Sequence, residues 1–205
     1  MDKRYVVYRK DRSCSTSSKA EGGGVMIAIS KHIPSYRHLG WESTAEDLWV
    51  SIDIKTNNLI KKVSICAVYL PPPVSFEHLS SFLENSTNVI EQSDQVIILG
   101  DFNLSHIGWS QKSESSPCSA MNYGSKLGLS LIDFMSVNNL SQFNNVNNVD
   151  GKILDLVLTD FNGLEVTESN NVLSKIDQKH PPLLVSLPQH SPHFLKPILR
   201  PRYNY

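Results

Sequence analysis

Residues Gln95–Asn103 read QVIILGDFN, and this stretch decides the fold. Val96, Ile97, Ile98 and Leu99 form a continuous apolar run of the kind found in strands covered on both faces. Gly100 then lets the backbone turn tightly, and Asp101 and Asn103 follow at once. Polar groups placed just beyond the carboxyl end of a buried strand stand where open α/β sheets bind their ligands. Gly, Asp and Asn are also ordinary turn residues, so the segment by itself reads equally well as a strand closed by an Asx turn.

Working outward, the flanking segments supply a sheet and its helices. Upstream, Ser75 is placed as an N-cap, and Phe76, Leu79, Phe82, Leu83, Val89 and Ile90 recur at helical spacing, which predicts a helix over about 75–91. Strands are expected at Tyr5–Tyr8, Val25–Ile29, Leu48–Ile54 and Lys62–Leu70. The last two follow one another directly and point to an antiparallel pair that stops at Pro71–Pro73. The Ser- and Lys-rich stretch Asp11–Glu21 reads as a loop closing on Gly22–Gly24. Downstream, a second helix is expected from Ser125, with Leu127, Leu131, Ile132, Phe134 and Met135 on its apolar face and Asn138–Asn139 as its stop. A short strand at Phe143, another over Ile153–Thr159 and a last one over Leu183–Leu187 complete a mixed α/β layer. After Pro188 the composition shifts to Pro, His, Lys and Arg, so 1–187 reads as one domain and 188–205 as a basic, Pro-rich linker or tail.

The bulk properties narrow the function classes. A chain of 205 residues, 40% apolar and with net charge −1, fits one globular domain with no global basic field to draw it to nucleic acid. Cys14, Cys66 and Cys118 are an odd count without CxxC spacing, which argues against a disulfide framework and a zinc site and for a reducing, intracellular compartment. The longest apolar runs fall far short of the roughly 18 residues of a membrane helix. No membrane contact is expected.

Several polar residues fall at strand ends or inside strands. Asp155 lies within ILDLVLT, where alternation puts it on the face of Ile153 and Val157. A carboxylate there needs a cation, a metal or backbone donors. His180 precedes Pro181–Pro182, a stiffened corner that orients its imidazole, with Asp177 three positions earlier. Tyr69 ends the strand before Pro71, and its hydroxyl can reach the same rim. Each has a plain structural reading as a turn, cap or half-buried residue. Taken with Asp101 and Asn103 they make a set of carboxylates, amide and imidazole suited to metal ions and phosphate oxygens, as metal-assisted phosphodiester or phosphomonoester hydrolysis requires.

The ordered series GGGVMIAIS, EDLWVSI, VYLPPP, VIILGDFN, ILDLVLTD and Asp177–Leu183 (DQKHPPL) resembles the endonuclease/exonuclease/phosphatase superfamily. It is most similar to the apurinic-type endonuclease domain of non-LTR retrotransposons, over about Tyr5 to Leu187. The resemblance implies a DNase I-like α/β sandwich of two mixed sheets flanked by helices, and a DNA-nicking hydrolase that uses Mg²⁺ or Mn²⁺. It implies that Asp101 binds or deprotonates the attacking water, that Asn103 holds that water or a phosphate oxygen, and that Tyr69 donates to the phosphate. Asp155 would orient His180, which neutralises the scissile phosphate, and Asp177 would join Asp101 at the metal. DNA as the partner, a reverse transcriptase domain in the parent polyprotein and a nuclear site of action follow from the same likeness.

Two departures from the family pattern stand out. The family carries an Asn strand and a metal-binding Glu strand before the segment matched by Tyr5–Tyr8, so the sandwich is expected to lack its first strands and to nick slowly or not at all. Glu21 and Glu46 are not expected to replace that Glu, because one lies in the Ser/Lys loop and the other at the start of the LWVSI strand. Many members also have Ser-Asp-His together, whereas Gln178 and Lys179 separate Asp177 from His180. The alternatives are a phosphomonoesterase of inositol lipids or poly(A) exonuclease of the same fold, and a non-catalytic remnant that binds nucleic acid.

Overall fold

The computed structural model describes residues 3–12, 23–56, 59–113, 116–170, 177–187 and 193–194. In chain order the elements are β1 (Tyr5–Asp11), β2 (Gly24–Ser30), β3 (Ser35–Arg37), a 3₁₀ turn (Leu39–Trp41), β4 (Glu46–Thr56), β5 (Leu59–Tyr69), α1 (Phe76–Ile90), β6 (Gln95–Asp101), β7 (Gly108–Ser110), β8 (Ser119–Met121), α2 (Lys126–Val137), β9 (Ser141–Gln142), β10 (Asp155–Thr159), β11 (Glu165–Glu168), β12 (Leu183–Ser186) and β13 (His193–Phe194). A mixed sheet of seven strands runs β13-β4-β5-β6-β10-β9, with β3 also paired to β4. The β5–β6 pair is parallel, joined by the α1 crossover, and β4–β5 and β6–β10 are antiparallel.

Apolar periodicity decides what covers each face. The helices lie on one side, where Leu79, Phe82, Leu83 and Val89 of α1 and Leu131, Phe134 and Met135 of α2 pack on Trp49, Cys66, Ile98, Leu156 and Leu158. Ser75 caps α1, its hydroxyl accepting from the His78 N–H, and Ser125 caps α2, accepting from the Gly128 N–H at 3.0 Å; each satisfies a donor the first turn would otherwise leave unpaired. On the other side Val50, Ile52, Ile54, Val63 and Ile97 take the β1–β2 hairpin through Ile29, Tyr8 and Ile27. Val157 and Phe143 take the β11–β12 hairpin through Leu164, Val166, Leu183 and Val185. Ile98 is fully buried, and trimming such a side chain to Ala costs about 2–5 kcal/mol.

Gly100, expected at a tight turn, instead lies inside β6 between Val68 and Leu156, and close approach is what requires it. A Cβ at this position would lie 1.8 Å from the Val68 carbonyl oxygen, so any other residue would force β5 and β6 apart just where the polar residues begin. Gly24 has φ +100°, and a Cβ there would meet the Lys10 carbonyl oxygen at 2.5 Å.

Three expectations change. Asp155 opens β10 rather than lying inside it, so Ile153 precedes the strand and packs in the helix-side core while Val157 faces the β11–β12 hairpin; alternation holds only within the strand. The short strands β3, β7, β8 and β11 were not expected. His193–Phe194, within the stretch read as a linker or tail, pairs antiparallel with Ile54 and Lys55; the rest of 188–205 lies outside the described residues. Cys66 and Cys118 are buried free thiols, and Cys14 lies outside the described residues. Among these residues no helix is long and apolar enough to cross a membrane.

Candidate active site

Sheet register gathers the site. Glu46 pairs with Tyr69, Tyr69 with Asp101 and Asp101 with Asp155. Residues paired across neighbouring strands project to the same face. One row across β4, β5, β6 and β10 therefore carries Glu46, Tyr69, Asp101 and Asp155 at the end of the sheet, on the face that takes the hairpins.

His180 reaches the row from a turn of its own. Its N–H donates to the Asp177 carbonyl at 3.1 Å, and the Asp177 carboxylate accepts from the Lys179 N–H at 2.9 Å. The loop before β10 fastens this turn from outside. There the Val149 N–H donates to the Gln178 carbonyl at 3.1 Å, the Asn148 amide donates to the Lys179 carbonyl at 3.3 Å, and Lys179 pairs with Asp150. Asn148 Oδ1 also accepts from the Asp150 and Lys152 N–H groups at 3.0 and 2.9 Å. The segment that delivers Asp155 thus also holds the turn that delivers His180.

The imidazole stands between two carboxylates. His180 Nδ1 is 2.9 Å from Asp155 Oδ2, and Nε2 is 3.8 Å from Asp101 Oδ2. Asn103, at φ +51°, a conformation Asn tolerates better than most residues, turns back on Asp101. Its backbone N–H donates to Asp101 Oδ1 at 3.0 Å, and its side-chain amide donates to Asp101 Oδ2 at 2.6 Å and to the Leu70 carbonyl at 3.0 Å.

Burial sets the electrostatics. Desolvation, helped by the charge of Asp155 and opposed by His180 and Asn103, pushes the Asp101 carboxyl up to about 6. Burial also raises Asp155, with the His180 hydrogen bond pulling the other way. Burial alone would lower His180, but the hydrogen bond and charge of Asp155, joined by Asp101 and Asp177, outweigh it and leave the imidazole raised. Two carboxylates thus share one imidazole, and ligand atoms of Asp101, Asp155 and His180 all lie within 4.8 Å of one another. A divalent cation held by the two carboxylates would relieve the negative charge gathered here, and carboxylate oxygens are ligands that hard divalent ions take.

Of the residues expected from sequence, Tyr69, Asp101, Asn103, Asp155 and His180 converge here. Asp177 is exposed and lies outside the three-residue group. The row also holds a residue that sequence reasoning passed over as part of the site. Glu46, 1% exposed, binds Arg12 rather than facing Asp101. The signal was the β4–β5 hairpin: its turn lies between Thr56 and Leu59, and counting ten residues back along each strand reaches Glu46 and Tyr69.

A family model described as endonuclease-reverse transcriptase matches residues 63–183, a span that contains every converging residue and more than half of the chain. The chain belongs to the endonuclease-reverse transcriptase family. Its fold is that of a DNase I-like α/β sandwich. The solved endonuclease domain of TRAS1, a telomere-specific non-LTR retrotransposon, superposes with a TM-score of 0.59 at 14% identity, over 92% of this chain and 81% of that one. A comparison with curated proteins finds no match.

Proposed function

We propose that this domain hydrolyses phosphodiester bonds in DNA as the nicking endonuclease of a non-LTR retrotransposon, encoded with a reverse transcriptase and acting in the nucleus. The observation that carries the reading is one imidazole set between a buried carboxylate, Asp101, and a half-buried one, Asp155, with a tyrosine in the same row. Asp101, with a carboxyl near 6, suits a general base near neutral pH and would take a proton from the attacking water. Asn103, whose amide donates to both Asp101 and Leu70, orients that carboxylate. His180, held charged by Asp155, would neutralise the phosphoryl oxygens, and Tyr69 would donate to one of them. Mg²⁺ or Mn²⁺ held by Asp101 and Asp155, with Asp177 at the rim, would add Lewis-acid charge on the phosphate.

The test is relaxation of supercoiled plasmid with and without Mg²⁺ or Mn²⁺. Two carboxylates are far fewer ligands than the six oxygens such ions take, so metal dependence should saturate only at millimolar concentration. Nicking that ignores metal, or that survives Asp101→Asn and His180→Ala unchanged, would overturn the assignment.

A further inference from the structure

The far end of the row is a buried ion pair. The side chains of Arg12 and Glu46 are 10% and 1% exposed. Arg12 Nε donates to Glu46 Oε1 at 2.7 Å and Nη2 lies 3.5 Å from Oε2; the Gly24 N–H donates to Oε2 at 2.9 Å. Taking two charges out of water costs several kcal/mol per ion, and apolar side chains of equal volume often stabilise a fold as well or better. Stability is therefore a poor account of this pair.

Anchoring of the β1–β2 hairpin is a poor account too, because other contacts already provide it. Lys10 Nζ donates to the Ser43 and Ala45 carbonyls at 3.1 and 2.9 Å and lies 3.6 Å from Asp47. Arg37 donates to the Arg9 carbonyl at 2.9 Å, and Ile29 seals the apolar contact beneath. What Arg12 adds among the described residues is a cation at Tyr69: its guanidinium carbon lies 5.4 Å from the ring centroid, within cation–π range. Glu46 pairs with that same tyrosine across β4–β5, so one carboxylate sets the guanidinium and the guanidinium covers the ring.

We infer that Arg12 and Glu46 are positioning residues of the site. Together they form a strut that holds the Tyr69 ring in the row beside Asp101, where a phosphate would sit between it and His180. The inference rests on the endonuclease reading for its purpose but not for its geometry. Its effect runs through Tyr69, so it predicts non-additivity rather than a separate contact with DNA.

The experiment removes both charges together, because Arg12→Met alone would leave Glu46 buried and unpaired and could unfold the chain. The Arg12→Met/Glu46→Gln protein keeps an acceptor for the Gly24 N–H. It should melt within a few degrees of wild type and nick plasmid with kcat down about 10- to 100-fold, the scale of a small misplacement of a reacting group, at unchanged KM. Tyr69→Phe should lose a comparable factor, and the triple variant little more. Wild-type nicking by the double variant, or losses that simply multiply in the triple, would overturn the strut. A second readout needs no cleavage: 3-fluorotyrosine placed at position 69 should give one ¹⁹F resonance in the wild-type fold, and the double variant, still folded, should move it because the guanidinium no longer lies against the ring. An unmoved resonance overturns the inference. A wild-type chain that fails to nick counts against the endonuclease reading, and the fluorine spectrum still decides the strut.

Discussion

Glu46 and Asp155 end the same row of four residues, each a carboxylate against a basic side chain, yet their surroundings differ in charge balance. At the Glu46 end one guanidinium meets one carboxylate. At the Asp155 end one imidazole serves two carboxylates, and burial holds Asp101 near 6. A buried site with more negative groups than positive ones is destabilised until something cationic arrives, whereas a matched pair is complete by itself. On the proposed reading the comparison separates a scaffold from a reaction centre within one sheet end: the unmatched half would be completed by a ligand, and the matched half would hold its neighbour in place. Perturbed carboxyls cluster at functional sites for this reason.

The largest effects should follow from breaking the unmatched half. Asp101→Asn removes the proposed base, and the expected loss in nicking rate is about 10²–10⁴-fold; His180→Ala removes the cation proposed to neutralise the phosphoryl oxygens, at about 10²–10³-fold. Single-turnover nicking of plasmid under saturating metal checks both. The rate should climb with pH as Asp101 loses its proton, at a pH that a bound cation lowers from the metal-free value of about 6, and fall again at higher pH as the raised His180 loses its own. A pH-independent rate would show that neither group acts in the rate-limiting step.

The same half should be a burden on stability. The folded Asp101 carboxyl near 6 lies above its unfolded value of about 3.9. The native state therefore keeps a proton that the unfolded chain has released, and stability falls as pH rises from about 4 to about 6 and stays lower above that. Asp101→Asn removes this cost: it should stabilise the fold at pH 7 by roughly 3 kcal/mol, from about two pK units at 1.36 kcal/mol each. Thermal melts should show a gain on the order of 5–10 °C at pH 7 that disappears at pH 4. His180 runs the other way. Its raised value adds stability present below about 6.5 and lost as pH rises through its folded pKa. A variant that is inactive yet no more stable at pH 7 would mean that Asp101 is better solvated than its burial implies.

Much of this arrangement was legible from the sequence, for identifiable reasons. The β6 run and its abrupt polar end, the Ser75 and Ser125 caps and the Asn stop after Val137 are local signals, and the structure places them within a residue or two. Tyr69, Asp101, Asn103, Asp155 and His180 stood out because each follows or opens an apolar run. What escaped depends on partners distant in the chain. Ser119–Met121 and Glu165–Glu168 are strands only because Gly108–Ser110 and Leu183–Ser186 lie beside them, and neither carries an alternating pattern of its own. Arg12 and Glu46 are 34 residues apart; each looks like a surface charge until the β4–β5 register and the hairpin fold bring them together over Tyr69. Asp155 was placed inside its strand because alternation continues through ILDLV, and only the Asn148 turn, with its three hydrogen bonds, shows that the strand begins later.

The smallest expected effect tests whether charge pairing as such matters near the site. Lys179 and Asp150 form an ion pair between the His180 turn and the loop before β10, with side chains 56% and 53% exposed. Water solvates both ends, so the pair is expected to contribute about 0–1 kcal/mol and to weaken further with salt. The uncharged bonds beside it, from the Val149 N–H to the Gln178 carbonyl and from the Asn148 side-chain amide to the Lys179 carbonyl, join the same two segments. Lys179→Ala should therefore shift the melting temperature by no more than a few degrees and leave the pH profile of nicking in place. If Lys179→Ala instead collapses the profile, the exposed pair, and not the uncharged clamp, orients His180, and the division between matched scaffold and unmatched reaction centre would have to extend to the surface of the loop.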